Sequence, residues 1–465
     1  MLALLGCTPA RPSARDSARG FPDASSAHST ATRPALRLLV LTDLAGELEP
    51  CGCSARSKGG VDRLVAAISA LRAEGIPTLL LVAGHSFYDP TPRDAQALPL
   101  QERWEADMLA TVLHDLHVDA LLPSDHDLQL AGTQWPAWLR QLESPPLLVP
   151  NATLAAAADP TASERLVQAA GLRIALLGAD LSNAKRAALE ASELEQRVTR
   201  QRERGADVVI SLVNVGVGEA PLTQQSGADL TIEGGALRSE PRVSTTHRRV
   251  SSGQRGESLL IVDVYWSQSG QPLALRSSYD PARASELNQW VYRSLPIARD
   301  ALADAAVREK LRALSKKINQ HNATEYAQTE HPEATRKYAG SAPCAACHTG
   351  AYLAWKATRH AAAYATLQRL DKEYNLDCVA CHLTGYDQGG ASLAELEGLT
   401  HVGCESCHGA SAAHVDDPQS RRGAPRRAVP TSRCTVCHDG AHSPDFDERT
   451  YRAKLDVLAH RVPSL

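Results

Sequence analysis

The chain has 465 residues, with 49 Lys and Arg against 53 Asp and Glu, for a formal net charge of -4. That length accommodates two or three domains, and a near-balanced charge supplies no basic field for nucleic acid. Aromatic residues make up only 4% and eleven cysteines are present. Beyond the N-terminus no apolar run reaches the length of a membrane-spanning helix.

Residues 1–7 read Met-Leu-Ala-Leu-Leu-Gly-Cys. Leu4-Leu5-Gly6-Cys7 has the form of a lipoprotein cleavage box with Cys7 as the lipidated residue, so 1–7 are taken as a truncated lipoprotein-type signal. Residues 8–34 are rich in Ser, Ala, Arg and Pro and poor in apolar side chains, the composition of a disordered tether. Leu36 to Asp43 is a buried-strand candidate. Helices are expected over Val61–Glu74, Glu102–Leu116 and Ala184–Glu203. Strands are expected at Thr78–Ala83, Ala120–Leu122, Leu147–Val149, Ile174–Leu177 and Val208–Leu212. This alternation indicates an α/β domain with a largely buried sheet. Arg242–Val250, Leu259–Trp266 and Leu273–Tyr279 alternate more like antiparallel strands, and the domain is expected to span 36–280. Residues 281–335 read as a helical connector, with Leu302, Val307, Leu311, Leu314 and Ile318 at helical spacing.

Residues 336–465 carry the strongest signal. Cys344-Ala-Ala-Cys347-His348, Cys378-Val-Ala-Cys381-His382, Cys404-Glu-Ser-Cys407-His408 and Cys434-Thr-Val-Cys437-His438 are four copies of C-x-x-C-H, the attachment pattern of a c-type haem. Two thiols add across the porphyrin vinyl groups, and the adjacent His lies under the iron as proximal ligand. Zinc ribbons and redox couples also use C-x-x-C, but neither requires a His after every pair. The segment is short for four covalent haems and poor in large apolar side chains, so the porphyrins are expected to form its core. Haem attachment takes place outside the cytoplasm. The expected location is therefore periplasmic or outer-membrane-anchored, as an exported lipoprotein.

The remaining cysteines form Glu49-Pro50-Cys51-Gly52-Cys53 after the first strand. Cys51 and Cys53 are one residue apart and form only a strained disulfide. They are candidates for a soft-metal site or a reducible pair.

Two resemblances cover most of the chain. Over about residues 36–280 the landmarks resemble the metallophosphoesterase domain of bacterial 5'-nucleotidases, whose strand ends carry Asp-x-His, Gly-Asp, Gly-Asn-His, a His, and Gly-His-x-His around two metals. Here Thr42-Asp43-Leu44-Ala45 keeps the Asp and loses the His, and Ala83-Gly84-His85 has His for Asp. Ser124-Asp125-His126-Asp127 keeps the His, Val213-Asn214 replaces the next His, and Gly234-Gly235-Ala236-Leu237 lacks both. A two-metal centre clamps an in-line displacement with about three or four ligands per ion. Asp43, His85, Asp125 and His126 are what remains for one divalent ion, so the domain is expected to be a degenerate phosphoesterase.

The last 130 residues are similar to the tetrahaem cytochromes that accept electrons from hydroxylamine oxidoreductase. The shared pattern is Tyr338-x-Gly340, Trp355, Arg359-His360-Ala361, the second motif, Val402-Gly403-Cys404 through Gly409, and His414. The resemblance implies His360 as distal ligand of the third haem, His414 of the first, and no protein ligand opposite His382. For the fourth, His460 is preferred over His442, and His401 is a further candidate. Two axial imidazoles make an iron an electron relay, whereas an open position admits a small ligand.

The expected fold is an α/β metallophosphoesterase-like sandwich followed by a mainly α, haem-packed cytochrome domain. The expected function is electron transfer between redox donor and acceptor proteins by a lipid-anchored tetrahaem protein. One alternative is an oxidoreductase acting on a small nitrogen or sulfur compound or oxyanion, at an open haem or at Cys51/Cys53. The other is a metal-dependent nucleotidase fused to a cytochrome.

Overall fold

The computed structural model describes residues 33–50, 58–90, 99–131, 163–216, 226–327 and 337–459, apart from 387, 389, 394–395, 420–425, 427, 440–442 and 444. Cys7, Cys51, Cys53, His442, His460 and the strand expected at Leu147–Val149 lie outside the described residues.

The first half alternates strands and helices as expected. β1 (Leu36–Thr42), α1 (Val61–Ala73), β2 (Thr78–Gly84), α2 (Leu100–Asp115) and β3 (Ala120–Pro123) lead into a short α3 (Asp125–Ala131). β4 (Glu164–Ala169), β5 (Leu172–Asp180), α4 (Ala187–Glu203), β6 (Val208–Asn214) and β7 (Leu230–Gly234) follow. Then come β8 (Arg242–Ser244), β9 (Arg249–Ser251), β10 (Ser258–Tyr265), β11 (Leu273–Arg276), β12 (Asn288–Pro296) and α5 (Ala305–Ala327). The strands form two sheets, ordered β11-β12-β10-β1-β2-β3 and β4-β5-β6-β7-β9-β8.

Period-two patterning explains how the sheets stack. Leu36, Leu38 and Val40 of β1 share one buried cluster with Ile174, Leu176, Val208 and Ile210 of the second sheet. Leu39 and Leu41 belong to another, with Leu64 and Ile68 of α1 and Leu109 of α2. On the far side, Leu194 and Val198 of α4 cover Leu177 and Val209. The result is a helix–sheet–sheet–helix sandwich. Strands buried on both faces read as nearly continuous apolar runs, which is why β1, β2 and β6 are plain in the sequence. Arg37 interrupts β1, and its guanidinium lies 2.6 Å from both Glu74 and Asp263.

Three expectations are corrected. Asn288–Pro296, read as part of a helical connector, is β12, antiparallel to β10. Its Gln-Trp-Val-Tyr run favours extended backbone, and Trp290 is wholly buried between the sheets. β11 pairs parallel with β12 rather than antiparallel. The remaining connector helix is α5, whose Val307, Leu311, Leu314 and Ile318 join the α1–α2 cluster, so it belongs to the front domain. Leu302, counted in the same helical pattern, precedes α5 and is 82% exposed.

Beyond α5 the chain is mainly helical. It comprises α6 (Thr349–Lys356), α7 (Ala363–Gln368), α8 (Leu376–His382), α9 (Cys404–His408), α10 (Ala412–Asp416), α11 (Thr431–Cys434) and α12 (Glu448–Ala459). Its apolar cluster is small and centres on Tyr338, Tyr364, Leu367, Val379 and Leu383. Among the described residues no helix is long and apolar enough to cross a membrane.

Candidate functional site

A cavity of ≈ 2160 Å³ runs through the C-terminal helices. Pockets for one small ligand are about 300–1,000 Å³, so this space suits several large groups. All eight motif cysteines line it, with His348, His382, His408 and His438, and with His360 and His414. None of the eight is in a disulfide. The Cys344 thiol donates to the Gly340 carbonyl at 3.8 Å; it also lies against Cys404, and Cys381 against Cys437, so the first and third motifs abut, as do the second and fourth.

The imidazoles are set by their partners. His382 Nδ1 donates to the Ala363 carbonyl at 2.8 Å and His408 Nδ1 to the Arg426 carbonyl at 2.6 Å. Each bond fixes the tautomer that leaves Nε2 as a lone pair, as a metal-ligating His requires. His438 Nδ1 pairs with Ser443 Oγ at 3.0 Å. His414 Nδ1 is buried with no hydrogen-bond partner, an orphaned donor atom at the cavity wall. His401 differs: its Nδ1 accepts the Tyr364 N–H at 3.2 Å. In a neutral ring the proton then sits on Nε2, which makes His401 a loop anchor.

His360 was expected to serve the third haem. Its ring also lies near His438 of the fourth motif, with centroids 6.2 Å apart and planes tilted by 54°. The burial of His360 and its closeness to His438 lower its pKa and favour the neutral ring.

Local chemistry explains the other landmarks. Glu405, inside the third motif, is buried, and its carboxylate accepts the N–H groups of Ala339, Gly340 and Ser411 at 3.0, 2.8 and 2.7 Å. Gly340 has φ +81 and lies so close to Gly398 that a Cβ would meet that carbonyl oxygen at 2.6 Å. Trp355 Nε1 donates to the Val402 carbonyl at 2.9 Å, and Val402 N–H to the His360 carbonyl at 3.2 Å. These bonds hold the first and third motifs in one frame. Eight cysteines, tautomer-fixed imidazoles and an orphaned His nitrogen around one cavity fit covalent haem.

The strand-end cleft of the front domain does not fit a metal centre. Asp43 Oδ1 accepts the N–H groups of His85 (3.0 Å) and Gly235 (2.7 Å), and Oδ2 accepts that of Leu237 (3.2 Å). Burial pushes its carboxyl up to about 6 against those bonds. Asn214, where the family has His, accepts from Gly84 N–H at 3.0 Å and donates to the Pro123 carbonyl at 2.8 Å, tying the two sheets together. Asp127, which the sequence did not single out, accepts the N–H groups of Ser86, Phe87 and Tyr88. His85 and His126 meet edge to face, centroids 5.9 Å apart. His126 Nε2 donates to the Asp89 carbonyl, whereas His85 Nδ1 is buried without a partner. Burial and then the hydrogen-bonded Asp180 push Asp125 up to about 6. Among the described residues no three His, Cys, Asp or Glu side chains are grouped to hold a metal ion. Of the expected set of Asp43, His85, Asp125 and His126, the Asp43 carboxylate is spent on backbone N–H groups and that of Asp125 on Asp180.

Residues 343–409 match the family model described as cytochrome c554 and c-prime. The chain is 38% identical over 89 residues to cytochrome c-554 of Nitrosomonas europaea, covering 16% of this chain and 38% of that one. The front domain resembles the 5'-nucleotidase precursor of Thermus thermophilus (TM-score 0.45, 17% identity, 61% of this chain and 59% of that one). It also resembles the NAD nucleotidase of Haemophilus influenzae (TM-score 0.45, 13% identity, 69% and 68%). The chain thus spans well under half of its cytochrome relative.

Proposed function

We propose that this chain is an exported multihaem c-type cytochrome that carries electrons between redox partner proteins. The observation that carries the reading is the shared cavity: all eight motif cysteines and all four motif histidines line it. When bound, the haems supply one-electron chemistry at iron. The chain's own residues attach and orient them. With haem bound, Cys344/Cys347, Cys378/Cys381, Cys404/Cys407 and Cys434/Cys437 would form the thioethers, and His348, His382, His408 and His438 would ligate the irons. His414 would serve the haem on His348; His360 would serve the haem on His408 by the resemblance, or the one on His438, whose ring it lies near. His460 is proposed for whichever of the third and fourth haems His360 does not serve, and the haem on His382 would keep one open side. Lipidation of Cys7 would hold the protein at a membrane. The front domain is proposed to be without phosphoesterase activity, and added manganese or zinc with a nucleotide should give no hydrolysis. The decisive experiment is mass and optical spectroscopy of protein made with a haem-maturation system. Four covalent haems are expected, and colourless protein would end the reading.

A second reading is favoured by one feature. Glu49 and Pro50 line the haem cavity, and the next residues in sequence are Cys51-Gly52-Cys53. Electrons from the haems would then serve a small nitrogen or sulfur compound or oxyanion, at that dithiol or at the open side of the haem on His382. A high-spin signal that shifts with nitrite, hydroxylamine or nitric oxide supports the open haem. Unchanged turnover of every tested acceptor after Cys51→Ser with Cys53→Ser discards the dithiol.

A further inference from the structure

The two domains meet at a polar seam that also faces the haem cavity. Gln101 of α2 is wholly buried. Its Oε1 accepts Leu376 N–H at 2.9 Å and Asn322 Nδ2 at 3.0 Å. That fixes the amide orientation, so the two Nε2 hydrogens go to two carboxylates, Glu105 at 3.2 Å and Asp377 at 2.9 Å. Asp377 immediately precedes Cys378, and Glu105 lines the same cavity as Cys378, Cys381 and His382. Two carboxylates sharing one amide beside a low-dielectric space cannot both stay ionised cheaply.

Resting on the haem reading above, we propose that this seam is a redox-linked proton site. Glu105, held with Asp377 on Gln101, binds a proton when the haem on Cys378 and Cys381 takes up an electron, and releases it on reoxidation. Glu105 gains one proton from solvent as one electron from a donor protein converts ferric iron to ferrous. Both leave when an acceptor takes the electron, so charge and protons balance.

The surroundings favour the protonated form. Burial raises the Glu105 carboxyl well above its usual range, and the charges of Asp377, Glu102 and Glu47 push the same way against the Gln101 hydrogen bond. Lys372, the nearby cation on the segment before α8, is paired with Glu49. From α5, Lys317 and His321 lie against the neighbouring Trp104 ring. An added electron is a further negative charge, so it raises the proton affinity of Glu105 again. The potential of that haem should be flat while Glu105 is protonated in both redox states. It should fall as pH rises between the two pKa values, and be flat above them. The limit for one proton per electron is tenfold per pH unit, about 59 mV.

The test is a spectroelectrochemical titration of the haem-loaded full chain from pH 5 to 9. One haem should show the slope. Glu105→Gln should flatten it near the low-pH potential, Glu105→Asp should restore it, and the remote, exposed Glu286→Gln should leave it intact. A slope that persists in Glu105→Gln, or no slope in the wild type, overturns the proton site and leaves the cytochrome reading standing. Protein without haem absorbance overturns the cytochrome reading first.

Discussion

Glu405 shows how one side chain inside a haem motif also holds the module together. Three backbone N–H groups from two other segments end on its carboxylate. Hydrogen bonds to a charged group are each worth about 1.5–3 kcal/mol, and buried donors left unpaired cost more than the bond gained. Glu405→Ala should therefore destabilise the C-terminal module by about 3 kcal/mol or more, read as an earlier thermal transition at the haem absorbance. A transition within a degree of wild type would remove the clamp role. Asp125 offers a pH test in the front domain. Its carboxyl sits at about 6 in the fold and near 3.9 when unfolded. Between those values the folded chain keeps a proton that the unfolded chain has released, so stability falls as pH rises through that window and stays lower above it. Asp125→Asn keeps a donor toward Asp180 and cannot ionise. Its front-domain melting temperature should fall less from pH 4 to 7 than that of wild type. Equal slopes would show that the Asp125–Asp180 pair is not the titrating group.

At the scale of elements, much was legible because chemistry or geometry fixes a local pattern. C-x-x-C-H is fixed by the porphyrin vinyl spacing and survives in sequence wherever the helices lie. β1, β2 and β6 are legible because both faces are buried, as Leu38 and Leu39 show by entering opposite clusters. β12 was misread because an interrupted apolar pattern of nine residues suits either period. Only burial of Trp290 between sheets arbitrates. Asp43 kept its family position, but its use as a backbone clamp depends on Gly235 and Leu237, almost two hundred residues away. Axial pairing is tertiary too, so the spacing of the C-x-x-C-H motifs alone does not choose a partner for His360. If His360 faces His438, His360→Ala should turn one haem from low-spin to high-spin. The signal lost in electron paramagnetic resonance should be the one missing when Cys434 and Cys437 are both changed to Ala. Loss of a signal that belongs to the haem of Cys404 and Cys407 would return His360 to the third haem.

The whole molecule is organised by its seam. α5 packs into the front core through Val307, Leu311, Leu314 and Ile318, and three of these, Leu311, Leu314 and Ile318, also line the haem cavity. Its Asn319 accepts Tyr374 N–H at 2.8 Å, and Asn322 donates to the Tyr374 carbonyl at 2.8 Å. The haem module is thus anchored to the helix that closes the sandwich, and Gln101 is the side chain on which both domains converge. Gln101→Ala removes partners from Leu376 N–H, Asn322, Glu105 and Asp377 together. At about 1 kcal/mol per neutral bond, and more for those to carboxylates, the loss is roughly 3 kcal/mol or more across the seam. None of these bonds lies within the sheets. The transition followed at the haem absorbance should drop by roughly 5 °C or more, while the sheet transition followed by circular dichroism moves less. Two transitions would then replace coincident ones. If both probes shift together by the same amount, Gln101 stabilises the front domain alone and the seam does not hold the cytochrome in place.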